Sequence, residues 1–145
     1  MAPAPLVSPV VHSVEIAASP DAVWRALTDP DTLARWMGGA RLDRTWELGR
    51  DLALTVDLNH KTYEDRVKAL ALEPGRLLSY SHWTRISRLP DRPENRSVIT
   101  FVLDSVGART RLAVTHESHK GEAVLEHARF FWGVALSVLK RLLER

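Results

Sequence analysis

The sequence predicts an α+β domain, an antiparallel sheet whose apolar face is covered by one long C-terminal helix. Three observations predict it. On a helical wheel of about 100° per residue, Val124, Leu125, Ala128, Phe131, Trp132, Ala135, Leu136, Val138, Leu139, Leu142 and Leu143 fall within one arc of about 160°. Most of the chain before that helix alternates apolar and polar residues with the period of a half-buried strand. The alternating runs follow one another with short turns, which makes neighbouring strands antiparallel.

The elements follow in order. Val10 to Ala17 places Val10, His12, Val14 and Ile16 on one face and Ser13 and Glu15 on the other, as a strand does. Ser19-Pro20-Asp21 starts a helix, with Ser as N-cap, Pro at the first helical position and Asp near the positive end of the dipole. Val23, Trp24 and Leu27 form its apolar stripe. Asp29-Pro30-Asp31 repeats the device, so a second short helix carries Leu33, Trp36 and Met37 until Gly38-Gly39 ends it. Leu42 to Leu48 predicts a weak strand and Leu52 to Leu58 a clear one. Asn59-His60-Lys61 is the hairpin turn, Thr62 to Leu72 the returning strand, Glu73-Pro74-Gly75 a turn, and Arg76 to Trp83 the next strand. Arg85 to Arg96 predicts an exposed loop. Ser97 to Leu103 and Arg109 to His116 are strands joined by a turn at Asp104 to Ala108. The last helix runs from Gly121 to Arg145, with Lys140, Arg141 and Arg145 where cations suit its dipole.

At 145 residues the chain is one domain, residues 10–145, able to bury roughly 68% of its unfolded surface without a disulfide or metal. Residues 1–9, broken by Pro3, Pro5 and Pro9, read as a disordered lead-in rather than a signal peptide. The absence of cysteine fits a reducing compartment, and the expectation is a soluble cytoplasmic protein. Sixteen Arg and four Lys leave a net charge of only +2, too little for a nucleic-acid groove. The longest nearly apolar run, Phe130 to Leu139, is about half the length that spans a bilayer.

With that order in hand, VEIAASPDAVWRALTDPDTLARW at Val14 to Trp36 closely resembles the opening of the activator-of-heat-shock-protein-ATPase homologue family. EPGRLLSYSHW, SVITFVLDSVGARTRLAVTHE and FFWGVALSVLKRLLE resemble the same family's later strands and closing helix. This family is a branch of the START and birch-pollen-allergen superfamily, also called SRPBCC, and the resemblance covers nearly the whole chain from His12 onward. It implies the helix-grip fold: a curved antiparallel sheet of about six to seven strands wrapped around the C-terminal helix, two short helices after the first strand, and a cavity between sheet and helix. One departure stands in TWELGRD, where family members often carry a Gly pair and this chain has only Gly49.

Three function classes follow. The leading one is binding of a small apolar molecule in that cavity, without cofactor or metal. The residues expected to line it are Trp36, Leu54, Val56, Tyr80, His82, Phe101, Leu103, Val114, His116, Phe131 and Trp132. Tyr80, His82 and His116 would orient the ligand's polar end; the bland alternative for each histidine is a core residue satisfied by a backbone carbonyl or a hydroxyl. The family name suggests a second class, a protein–protein module stimulating a chaperone ATPase, although the co-chaperones behind the name carry an additional N-terminal domain. The wider superfamily suggests a third, a polyketide cyclase or aromatase.

Nothing in the residues argues for catalysis. No nucleophile elbow, phosphate-binding glycine loop or dinucleotide fingerprint is present. His116 and His119, spaced H-x-x-H, fall where a strand ends, and that spacing aligns metal ligands on a helix rather than a strand. Asp57, Glu64 and Asp65 read as surface charge. Arg85, Arg88, Arg92 and Arg96 read as a solvated loop, or else a seat for an anionic head group or acidic partner. Phe130 and Val134 lie off the buried arc of the helix, which points to cover by the N-terminal region or to a partner surface, and a homodimer contact is the expectation.

Overall fold

A computed structural model describes residues 9–118 and 122–145. Met1 to Ser8 of the expected lead-in, His119 of the H-x-x-H pair and Gly121 at the expected helix start lie outside the described residues. The chain runs β1 (Val10–Ile16), α1 (Pro20–Thr28), α2 (Pro30–Trp36), β2 (Arg41–Leu42), β3 (Asp51–Leu58), β4 (Lys61–Glu73), β5 (Leu77–Trp83), β6 (Ser97–Val106), β7 (Arg109–Glu117) and α3 (Glu122–Leu143). The seven strands form one antiparallel sheet in the order β1-β7-β6-β5-β4-β3-β2, curved as in the helix-grip fold.

Both short helices form as their capping residues dictate. Ser19 Oγ accepts from the Ala22 amide at 3.2 Å. Asp29 Oδ2 accepts from the Thr32 amide at 3.0 Å and from its hydroxyl at 2.6 Å, which holds the Asp29 carboxyl below its ordinary pKa. Asp29 thus caps α2 where α1 ends, and the proline after it prevents the two helices from merging. Asn59 and His60 take φ of 52° and 65°, a two-residue turn of the kind that matches strand twist between β3 and β4.

The expected strand at Leu42 to Leu48 shrinks to Arg41–Leu42. Asp43 Oδ1 accepts from the Ala53 amide at 3.3 Å, alongside the Asp43 amide donating to the Ala53 carbonyl at 3.1 Å. That local exchange ends the ladder. The chain then runs irregularly to Gly49, whose φ of 77° turns it into β3. Two other boundaries move. β6 continues to Val106 with the turn at Gly107, and β4 carries a bulge at Leu70, between Ala69 opposite Tyr80 and Ala71 opposite Ser79.

The loop from 85 to 96 contains two single 3-10 turns, Arg85–Ser87 and Pro93–Asn95, and is tied down. Trp83 Nε1 donates to the Leu89 carbonyl at 3.0 Å. Arg96 grips Asp91 at 2.7 and 2.8 Å and donates to Ser81 Oγ at 3.0 Å. Arg96 is therefore a tether for the loop rather than a free cation.

α3 lays Ala128, Trp132, Ala135, Leu136 and Leu139 into one core with the inward residues Ile16, Leu78, Ile99, Phe101, Leu112 and Val114. Burying each large apolar side chain stabilises the fold by about 1.5–3 kcal/mol. Val124, expected within the buried arc, is 39% exposed in the first turns of the helix. The other end of α3 is clamped by polar contacts. Glu144 Oε2 accepts from the Ala17 amide at 2.8 Å, Lys140 Nζ donates to the Glu15 carbonyl at 2.7 Å, and Arg109 and Arg111 pair with Glu15.

Candidate functional site

Between sheet and helix, a row of rings runs from the β2–β3 segment to α3. Trp46 lies on Tyr80 with centroids 4.8 Å apart, Tyr80 stacks on Phe101 at 6.4 Å, and Phe101 meets the edge of Trp132 at 5.5 Å. Such offset and edge contacts suit the ring quadrupoles and add to the area term. Trp36, from the end of α2, abuts Phe101 at 6.2 Å, and its Nε1 donates to the Ala26 carbonyl at 2.8 Å.

Beside the Trp46 end lies a small apolar chamber walled by α1, α2, Leu42, Trp46 and the inward side chains of β3, β4, β5 and β6. Its void of about 10 Å³ has room for one water centre. The side chains around it therefore nearly fill this chamber.

The other end of the row is polar. Trp132 Nε1 donates to His116 Nδ1 at 3.0 Å, so in the neutral imidazole the proton sits on Nε2. That Nε2 is buried and has no hydrogen-bond partner among the described residues, and the same holds for Nε2 of His12 on the adjacent strand. Burial, with repulsion from nearby His82 and His127 adding to it, lowers the pKa of His116 to about 4. It is an uncharged imidazole at neutral pH. His12 packs under α3 where Gly133 has no side chain: a Cβ there would lie 3.6 Å from His12 Cε1.

His82 stands one strand beyond β6. Its Nε2 lies 2.9 Å from Oδ2 of Asp65, which is 3% exposed. Asp65 Oδ1 also accepts from the Arg85 amide at 3.0 Å and from Thr84 Oγ1 at 3.3 Å. The reading of Asp65 as surface charge is thus corrected. It shares the inward face of β4 with Val67 and Ala69, and three donors from β5 and its following loop make its burial tolerable. Asp57 and Glu64 are exposed as expected, paired with Arg41 and Arg66 respectively.

Of the sequence-predicted residues, Leu54, Tyr80 and Phe101 line the chamber. His116 and Trp132 form the polar end, with His82 two strands away across β6. Leu103 and Val114 are fully buried, Val56 and Phe131 half-buried, and Phe131 meets Trp132 edge-on at 4.9 Å. Burial raises the pKa of the Tyr80 phenol. Trp36 is packed core and does not face the chamber. Sequence reasoning placed His12 on the inward face but gave it no role, and it missed Trp46 and Asp65. Period-two alternation through Asp65, Val67 and Ala69 was the available signal for the last. Among the described residues, no group of three or more His, Cys, Asp or Glu is placed to hold a metal ion.

The family model described as Activator of Hsp90 ATPase homolog 1-like protein matches residues 17–144. ChR145 from Cytophaga hutchinsonii is similar in structure, with a TM-score of 0.82 and 26% identity over 97% of this chain and 96% of that one. MLL2253 from Mesorhizobium loti is similar at TM-score 0.76 and 24% identity, over 95% and 98% of the two chains. The Aha1 dimer from Colwellia psychrerythraea is similar at TM-score 0.75 and 25% identity, over 95% and 97%. No curated protein matches the sequence.

Proposed function

We propose, for a chain that belongs to the family of Activator of Hsp90 ATPase homolog 1-like proteins, that the space between sheet and α3 binds a small, largely apolar molecule. One observation carries this reading. In a mostly apolar interior, His12 Nε2 and His116 Nε2 are buried with no hydrogen-bond partner among the described residues. A buried donor or acceptor left unmade costs about 1–3 kcal/mol. Two on adjacent strands, at the end of an aromatic row, make a place where a ligand's polar group recovers that cost while its body lies on Trp132 and Phe101. His116 offers an N–H to an acceptor oxygen, His12 can adopt either tautomer, and His82 on β5, two strands from His116, is held by Asp65.

A titration of amphipathic probes tests it. Decanoic acid and decanol, followed by protein NMR, should perturb the ring resonances of His12 and His116, and replacing both by Phe should weaken decanoic acid binding by about tenfold. Perturbation confined to surface residues would refute the assignment.

A surface role is favoured by a separate observation. Phe130 and Val134 on α3 are 73% and 51% exposed, and a similar protein was solved as a dimer. A homodimer through this face is the corresponding reading, and action on a chaperone ATPase through the same surface its extension. Light scattering should give twice the monomer mass, reverting to the monomer in Phe130→Asp. A monomeric wild type at high concentration would remove the dimer, and an unchanged ATPase rate on adding the protein would remove the chaperone role.

A further inference from the structure

From residue 43 to 50, every side chain except Trp46 is exposed. This stretch is irregular and is held by few backbone ties, among them the Gly49 amide donating to the Ala69 carbonyl at 2.9 Å. From it, one half-buried indole reaches inward and forms a wall of the apolar chamber. Its ring lies on Tyr80 at 4.8 Å with a 34° tilt, and its Nε1 donates to the Leu27 carbonyl at 3.2 Å. That carbonyl belongs to the last turn of α1, where the helix has no amide left to offer it. The remaining walls are Leu27, Leu33, Met37, Leu42, Leu54 and Phe101 with their neighbours. Every contact Trp46 makes is one that a free aromatic molecule could make in its stead.

We infer that Trp46 is a built-in plug occupying the seat of a flat bicyclic aromatic ligand that carries one N–H or O–H donor. The inference rests on the ligand-binding reading above and adds a second seat, for a flat aromatic body, at the Trp46 end of the same row of rings. When the ligand enters, it stacks on Tyr80 and donates to the Leu27 carbonyl, and Trp46 swings outward on its irregular segment. The void of about 10 Å³ is too small to admit a ligand beside the plug, so exchange is required. The vacated space is that of an indole, which sets the size class at two fused rings. Displacing the plug lowers apparent affinity by the fraction of molecules in which the seat is empty. A chain without the plug therefore binds more tightly.

The test uses 2-naphthol, with naphthalene lacking the donor and decanol lacking the ring. In full-length protein labelled with 5-fluorotryptophan, the Trp46 signal is assigned from Trp46→Phe among the five tryptophans. Saturating 2-naphthol should move the Trp46 resonance to the shift of a solvent-exposed indole and leave that of Trp24 in place. Naphthalene should bind several-fold to about tenfold more weakly, as expected for loss of one hydrogen bond. Trp46→Ala should bind 2-naphthol about tenfold or more tightly than wild type; if that variant does not fold, the fluorine shift in wild type decides. Saturable 2-naphthol binding with the Trp46 signal unmoved overturns the plug. Decanol binding with no 2-naphthol binding overturns the plug while leaving the broader reading intact, and absence of binding by all three probes in wild type and variant overturns both.

Discussion

His116 shows what a single buried residue does to the whole equilibrium. Its folded-state pKa of about 4 lies below the ordinary 6.5. Between those values the unfolded chain holds a proton that the folded chain refuses, so stability falls as pH drops through that window. The loss should reach up to about 3 kcal/mol between about pH 7 and about pH 4. His116→Asn, which keeps an acceptor for Trp132, should flatten that slope in urea denaturation curves. Asp65 is the complementary case. Removing it in Asp65→Ala strips a partner from His82, Thr84 and the Arg85 amide together. Unfolding free energy should fall by about 3 kcal/mol, measured the same way at neutral pH. How Asp65 is paired was not legible in the sequence, because its three partners lie 17 to 20 residues away and are set by the β4–β5 register. His12 and His116 were legible as inward-facing by alternation alone; that their Nε2 atoms lack partners depends on the closeness of α3.

At the scale of elements, the capping devices Ser19-Pro20-Asp21 and Asp29-Pro30-Asp31 and the stripe of α3 were readable, because each is satisfied within a few residues of itself. The 43–50 segment was not. Its alternation matches a strand, but Asp43 closes the ladder with its own side chain, leaving Trp46 to turn into the core. α3 is held unequally along its length. Glu144 and Lys140 clamp its last turns to β1 and the turn after it, while Trp132–His116 is the polar tie over the histidines. Glu144→Gln should therefore speed hydrogen exchange at the Ala17 amide while leaving exchange in the middle of α3 unchanged. Gly133 offers the opposite test. A Cβ at 3.6 Å from His12 is ordinary contact, and glycine within a helix costs backbone entropy. Gly133→Ala should stabilise the protein by about 0.5–1 kcal/mol in thermal or urea unfolding.

For the whole molecule, an antiparallel sheet under one long helix followed from hairpin turns and a single amphipathic surface, whereas the pairing of the first strand with the last was not legible, because its partners lie at opposite ends of the sequence. The chamber by Trp46 is nearly full, and an aromatic row leads from Trp46 to two imidazoles whose Nε2 atoms lack partners among the described residues. What decides the role of this interior is whether a small molecule occupies it. Native mass spectrometry tests it most directly, on gently purified protein and again after incubation with 2-naphthol and with decanoic acid. An added mass that matches a bound small molecule and disappears on denaturation is expected. A bare polypeptide mass under all three conditions would contradict it.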